Sequence, residues 1–281
     1  MADWRLVLVQ ARAQLTSISR NRRAVVISLV IPVVILVMFN SIFGGGNDTV
    51  DLAGARITAS AYFAGAMVAY ALIGIAFMQV AITLVSQRET GQLKRYRGTP
   101  VPAWTFIFAT VLRVAAMAVS VTAILLLIAR LAYGVEVSAE ALAEIVVYVA
   151  LGTATLCSAG IAATTVVPDV ESASAALPLV AVLLSFISSI FVPVDQLPAW
   201  LADVGRIFPL YHVAVGVQTA LGVSGDTSLR GGDVAVLVAW ALGAVTIAAR
   251  GFRWGAAGGR GMRRVPGRGL GVVGPGLDPH S

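Results

Sequence analysis

Charge is what this 281-residue chain has least of. Only 12% of its residues are Asp, Glu, Lys or Arg, against about 25% in ordinary soluble domains. With 58% hydrophobic residues and a mean hydropathy of +0.88, that scarcity excludes a soluble globular domain. There is one cysteine, Cys157, inside an apolar run, which excludes a disulfide framework or a cysteine metal cluster and marks it as a small buried hydrophobe. His212 has no Cys or carboxylate cluster beside it in the sequence, so no metal site is expected, and no Ser/His/Asp grouping occurs in a pocket context. No Gly-rich loop runs into Lys-Ser or Lys-Thr, so the chain carries no phosphate loop of its own. Nothing catalytic is expected, and no cofactor bound by this chain. A lone lysine, Lys94, stands against nineteen arginines, a composition that hints at a GC-rich bacterial genome.

What charge there is lies in blocks. The net charge of +6 would suit nucleic acid if it were spread over a face, but the cations flank apolar runs, the pattern that orients a membrane protein. Residues 1–23 carry Arg5, Arg12, Arg20, Arg22 and Arg23, while Trp4, Leu8, Ala11, Leu15 and Ile18 recur on one helical stripe. This predicts an amphipathic helix lying in the membrane interface. A signal-peptide start is disfavoured, because the segment is long and the run after it is long enough to span.

Six spans are then expected. Ala24–Phe43 holds 20 residues without a charge, enough to cross a core of about 30 Å, and Pro32 within it is tolerable among neighbouring helices. Gly44 to Asp48 reads as a turn. Ile57–Val85 is the second span, with Ala61, Gly65 and Ala69 as a close-packing face. Ala103–Tyr133 is the third and Leu142–Val167 the fourth, with a stripe of Ala150, Ala154, Ser158 and Ala162. Ala173–Val192 is the fifth. Between Pro193 and Asp233, Ala199–Phe208 and Tyr211–Leu221 are helical but too short to span, so they read as re-entrant or interfacial. Val234–Ala249 is the sixth, and the Gly-, Arg- and Pro-rich tail 251–281 is expected to be disordered. If the N-terminus is cytoplasmic, fifteen of the twenty cations fall inside. Both termini are therefore expected in the cytoplasm.

The stretch between the second and third spans is Gln87 to Pro100, QRETGQLKRYRGTP. It carries Arg88, Lys94, Arg95, Arg97 and Glu89, and its middle, Glu89 to Tyr96, tolerates a helix. Pro100 disfavours helix at Thr99. This reads as a short surface helix offered to another protein. Within the spans, Arg113 lies about ten residues into the third; it either serves function or snorkels to headgroups and carbonyls. Arg130 and Glu144 stand seven residues either side of Val137, at equal depth in an antiparallel hairpin. A structural ion pair is expected there rather than a proton relay.

These features together resemble the permease subunit of type-2 ABC exporters, in particular the daunorubicin-resistance-like bacterial drug and lipid exporters, over residues 3 to 250. The resemblance rests on three parts: the amphipathic N-terminal helix; Arg88-Glu89-x-Gly91-x-Leu93 leading to Arg97-Gly98-Thr99-Pro100; and Phe191-x-Pro193 through Leu197-Pro198-x-Trp200-Leu201 to Phe208-Pro209-Leu210-Tyr211. It implies an all-α polytopic membrane fold in three parts: an interfacial helix (1–23), a six-helix permease domain (24–250) with extracellular re-entrant helices between spans five and six, and a cytoplasmic tail (251–281).

The resemblance implies partners as well. These are a dimer of cytoplasmic ATPase subunits holding ATP and Mg, contacted through Arg88, Glu89, Gly91, Leu93, Lys94, Arg95, Arg97, Gly98, Thr99 and Pro100, and a second or paralogous permease in the bacterial cell membrane. Spans one, two and five would line the substrate path, with Asn40, Tyr62, Tyr70, Gln79 and Phe186 as candidates and Pro193, Pro198, Trp200 and Pro209 framing the re-entrant part. An apolar lining suits an amphiphilic drug or lipid. Polysaccharide export is the alternative within the class. An ion-coupled carrier is disfavoured, since membrane carboxylates and broken inverted repeats are not evident.

Overall fold

The computed structural model of the chain describes residues 22–43, 49–52, 55–97, 103–222 and 229–251. The expected interfacial helix, the Gly98-Thr99-Pro100 stop and the tail lie outside the described residues. Helix α1 is Arg22–Phe43. A two-stranded hairpin follows, β1 (Thr49–Leu52) and β2 (Ala55–Thr58), antiparallel with Thr49 opposite Thr58 and Leu52 opposite Ala55. Helix α2 then runs over Ala59–Glu89, capped by the Thr58 hydroxyl, which accepts from the Ala61 N–H. Ile57 therefore belongs to a strand, and the second span begins later than its apolar run suggests. The β-branched residues of Val50, Ile57 and Thr58 that favour a strand sit in a segment too short for that pattern to stand out.

Beyond α2 come a six-residue helix α3 (Gln92–Arg97), α4 (Ala103–Tyr133), α5 (Ala139–Ala163) and α6 (Val170–Ile187). Two short helices, α7 (Ala199–Ile207) and α8 (Pro209–Gly222), precede α9 (Gly231–Gly251). Five of these, α2, α4, α5, α6 and α9, are long and apolar enough to cross a membrane; the described apolar run of α1, Ser28–Phe43, is shorter. The prolines of the expected re-entrant motif sit where no backbone N–H is needed. Pro193 and Pro198 precede a 3-10 turn (Val194–Gln196) and α7, and Pro209 is the first residue of α8.

The core lies on α2 and α8. Nearly every residue of the first half of α2 and of α8 is buried, although α8 has only 14 residues, about 21 Å at 1.5 Å each. A helix that short and that enclosed is a half-length insert among longer neighbours, somewhat longer than the ten residues its sequence suggests. Gly65 makes the contact possible: a Cβ there would stand 2.8 Å from the backbone of Gln218 on α8, so the Ala61-Gly65-Ala69 face is a packing face, as expected. The corresponding stripe on α5 is not. Ala150 and Ala154 are exposed, and the close approaches run through Gly152, against Val213, and Gly160, against the carbonyl of Phe77.

One polar node ties the core. Ser189, two residues past the end of α6, has a left-handed φ of 58°, a costly conformation for a residue with a Cβ. Its carbonyl accepts from the Tyr62 hydroxyl and the Gln218 amide, both at 2.8 Å. All three side chains are buried, so α2, α6 and α8 meet on one satisfied acceptor. Adding a methyl at Gly65 forces α8 away from this node. Gly65→Ala is expected to destabilise the protein by about 1–3 kcal/mol, the usual range for overpacking, seen as a lowered Tm in detergent; an unchanged Tm would mean that α2 and α8 are not closely packed.

Candidate functional site

Two regions hold the residues that the sequence singles out. The first is the corner after α2. Helix α2 continues to Glu89, turns at Thr90 and Gly91, and resumes as α3. Gly91 has φ +70° with open space around it, so the glycine serves the left-handed backbone of the turn. The two sides of this corner differ. Gln92 and Arg95 are exposed, whereas Leu93 and Arg88 are buried. Arg88 is therefore not presented to a partner. Its Nη1 donates to the carbonyl of Thr164 at 2.8 Å, and its Nη2 to those of Val167 and Pro168 at 2.6 and 2.8 Å. Glu89, though exposed, accepts from the Val170 N–H at 2.8 Å. The side chains of Lys94 and Arg97 lie outside the described residues.

The α5–α6 loop is itself ordered by Asp169. Its Oδ1 accepts from the Ser172 N–H at 2.7 Å, capping α6. Hydrogen bonds from the Ser172 backbone and hydroxyl hold its pKa below the ordinary aspartate value, with nearby Arg88 adding to the effect.

The second region is a cavity of about 240 Å³ between α1, α2 and α6, lined by residues that include Ile31, Pro32, Tyr70, Gly74, Gln79 and Pro178. Among the described residues, no charged side chain lines it. Each of the three helices is irregular at this level. Pro32 interrupts α1 and Pro178 interrupts α6, each removing an i→i−4 hydrogen bond. In α2, Ile73–Met78 is wound as a π-helix, a form found mostly as single turns at functional sites. From Tyr70 a column of rings continues towards the hairpin end: Tyr70 to Phe191 at 5.4 Å, Phe191 to Phe39 at 6.3 Å, Phe39 to Phe63 at 4.8 Å and Phe63 to Phe43 at 5.8 Å. Phe186 joins it against Phe191 at 5.2 Å.

Of the five candidate path residues, Tyr70 and Gln79 face this cavity and Phe186 belongs to the ring column. Tyr62 and Asn40 do not face it. Tyr62 is the donor at the Ser189 node, and Asn40 is buried with its amide donating to the Leu36 carbonyl at 3.0 Å. The sequence reading missed Pro32, Gly74 and Pro178 as a set; prolines inside two apolar runs were visible, but not that they converge. It also missed the tie between His212 and Asp233, whose ring Nδ1 and carboxylate lie 2.6 Å apart. His212 Nε2 is 2.8 Å from the Arg206 carbonyl. The Arg206 carbonyl can only accept, so Nε2 is placed to donate to it. The two residues are 21 apart in sequence and meet only because α8 and α9 start side by side.

Arg130 and Glu144 do not form the expected ion pair. Among the described residues, the ion pairs are Arg206–Asp203 and the His212–Asp233 contact. Arg130 is exposed in the last turn of α4 and faces an open hollow of about 550 Å³ with Glu136 and Glu140, while Glu144 is half-buried on α5. Equal depth in a hairpin does not set the direction in which each helix points its side chain. Arg113 is half-buried on α4. Trp200 is exposed on α7, and Pro193 and Pro198 serve as the caps described above. No group of three metal-ligating side chains occurs among the described residues.

An apolar helical bundle with an uncharged, irregular cavity between its helices and a structured corner at one end is an all-α polytopic membrane protein. The family model described as ABC-2 type transporter matches residues 5–221. The chain belongs to that family, the membrane components of ABC transporters. The match ends in α8, so α9 lies beyond it. No curated protein matches the chain.

The corner generates a pH prediction. A folded-state pKa below the unfolded value makes Asp169 stabilising above the ordinary aspartate range, near 3.9, and that contribution is lost as pH falls through the lowered folded value. Asn also caps helices but does not titrate. The Tm of Asp169→Asn is therefore expected to fall less than that of the wild type as pH is lowered from 7 towards 3. Parallel curves would show that the cap carries no charge-dependent stability.

Proposed function

We propose that this chain is the permease subunit of an ATP-driven exporter that moves an amphiphilic drug-like or lipid molecule out of the cytoplasm. The observation that carries the reading is the cavity between α1, α2 and α6, uncharged and walled by Ile31, Pro32, Ile73, Ile75, Met78 and Val182, with Tyr70 and Gln79 as its larger polar groups. The Gln79 side chain forms no hydrogen bond with a described residue, so its amide is available to a substrate's polar end. An apolar body with one polar end matches that lining. A sugar polymer would leave most of its hydroxyls without partners there, and no feature of the cavity favours polysaccharide export.

In this reading six helices cross a bacterial cell membrane, with both termini in the cytoplasm. Two permeases, identical or paralogous, pair with two ATPases that bind ATP and Mg. The exposed face of α3, with Gln92 and Arg95, and the side chains of Lys94 and Arg97 meet the ATPase, and Gly98-Thr99-Pro100 sets the chain's return to the membrane. Rearrangement at the level of Pro32, the π turn and Pro178 widens or closes the cavity, because bends concentrate where the helical ladder is already interrupted. The ring column from Tyr70 to Phe43 is the exit side.

Extraction of the tagged chain from native membranes in mild detergent is expected to bring down a phosphate-loop ATPase, and Arg95→Glu to lower its recovery about tenfold. Gly74 faces the cavity with open space at its Cβ position. Gly74→Phe is therefore expected to fill the cavity and abolish stimulation of the complex's ATP hydrolysis by amphiphilic dyes, with Tm unchanged. Retained stimulation in Gly74→Phe would place the substrate elsewhere, and the absence of any ATPase would remove the exporter assignment.

A further inference from the structure

Arg88 and Glu89 are adjacent, opposite in charge, and grip opposite kinds of backbone group in the α5–α6 connection, carbonyls and an N–H. Arg88 lies against the α5–α6 loop, where the carbonyl of Thr164, the C-cap of α5, and those of the loop residues Val167 and Pro168 accept from its guanidinium. The last carbonyls of a helix have no partner within it and form the negative end of its dipole. Glu89 lies against the first N–H of α6, Val170, at the positive end of the next helix. Leu93, 1% exposed, packs into the core one turn further on. The α5–α6 loop is thereby joined to the corner at four hydrogen bonds. Its tip, Val166, is 81% exposed.

We propose that Arg88 and Glu89 act as a two-charge clamp that makes the α5–α6 loop move as one body with the α2–α3 corner, so that a displacement at α3 reaches α5 and α6 directly. Both are positioning residues. The clamp rests on the proposed function for its purpose, since it assumes that α3 is displaced by an ATPase. It extends that reading by adding a second route: the pull enters α6, one wall of the cavity, at its first residue, as well as α2 at its last. Charge order is what the clamp requires. The cation must stand where the Thr164, Val167 and Pro168 carbonyls converge, and the anion where the Val170 N–H points.

The test has two arms. In the purified chain, hydrogen exchange is measured at the amides of residues 164–172 for the wild type, Arg88→Gln, Arg88→Lys and the order-reversed double variant Arg88→Glu with Glu89→Arg. Arg88→Gln is expected to speed exchange at Val170 at least tenfold. Arg88→Lys should recover part of the protection, because a lysine keeps the charge but not the forked donors. The order-reversed variant should be no better than Arg88→Gln despite its unchanged net charge.

In the complex with the copurified ATPase, Val166→Cys is labelled with a fluorescent maleimide; the native Cys157 is buried, so background is low. Trapping with ATP and vanadate is expected to change the Val166→Cys labelling rate several-fold. Adding Arg88→Gln should abolish that change, per ATPase recovered.

Unchanged exchange in Arg88→Gln, or wild-type protection in the order-reversed variant, overturns the clamp. Faster exchange with a full nucleotide response at Val166→Cys overturns its role in transmission. If the wild-type chain recovers no ATPase, it is the exporter reading that fails, and the exchange arm alone decides whether the clamp exists.

Discussion

The arrangement of this protein follows from the cost of leaving a backbone polar group without a partner away from water, several kcal/mol for each in a bilayer core. Helices satisfy their interiors and leave the problem to their ends and interruptions. Beyond α5, a guanidinium takes the carbonyls of its C-cap Thr164 and of the loop residues Val167 and Pro168. Where α6 begins, Asp169 and Glu89 take N–H groups. Just past the end of α6, Tyr62 and Gln218 take the carbonyl of the left-handed Ser189. Where α7 ends, Trp240 donates to the Ile207 carbonyl at 2.7 Å. Most of the named polar residues are thus spent on helix ends, and few remain for a substrate.

That distribution separates rigid from yielding parts. The half of α2 nearest the hairpin, together with α8, is fully packed, with glycines at 65, 152 and 216 allowing contacts too close for any side chain. Towards the α3 corner, the same α2 passes through its π turn beside two proline-interrupted helices. The cavity lies at this boundary. A bundle that must change shape while embedded in lipid can do so where the ladder is already incomplete, without exposing new backbone groups.

Much of this was legible in the sequence. Charge-free runs located the long helices to within a few residues, and prolines at 193, 198 and 209 marked the short ones. Other features depend on the direction a side chain takes, which spacing alone does not fix. Arg88 reads like Arg95, seven residues on, yet one is buried and the other exposed because α2 continues to Glu89 before turning. Arg130 and Glu144 share a depth but not a direction. On α5 the close contacts run through Gly152 and Gly160 rather than Ala150 and Ala154, because several small residues surround that helix and only tertiary contact selects among them. The cavity itself was partly legible, through Tyr70 and Gln79, while its proline walls acquire meaning only when three helices are side by side.

The central claim is that the α3 corner is where an ATPase drives this permease. A photo-crosslinking amino acid in place of Arg95, activated in native membranes, tests it most directly. The account predicts a covalent product with a phosphate-loop ATPase that is absent when the same residue is placed at Leu131, exposed on the far part of α4. Capture of lipid alone at Arg95, or the same products from both positions, would contradict it.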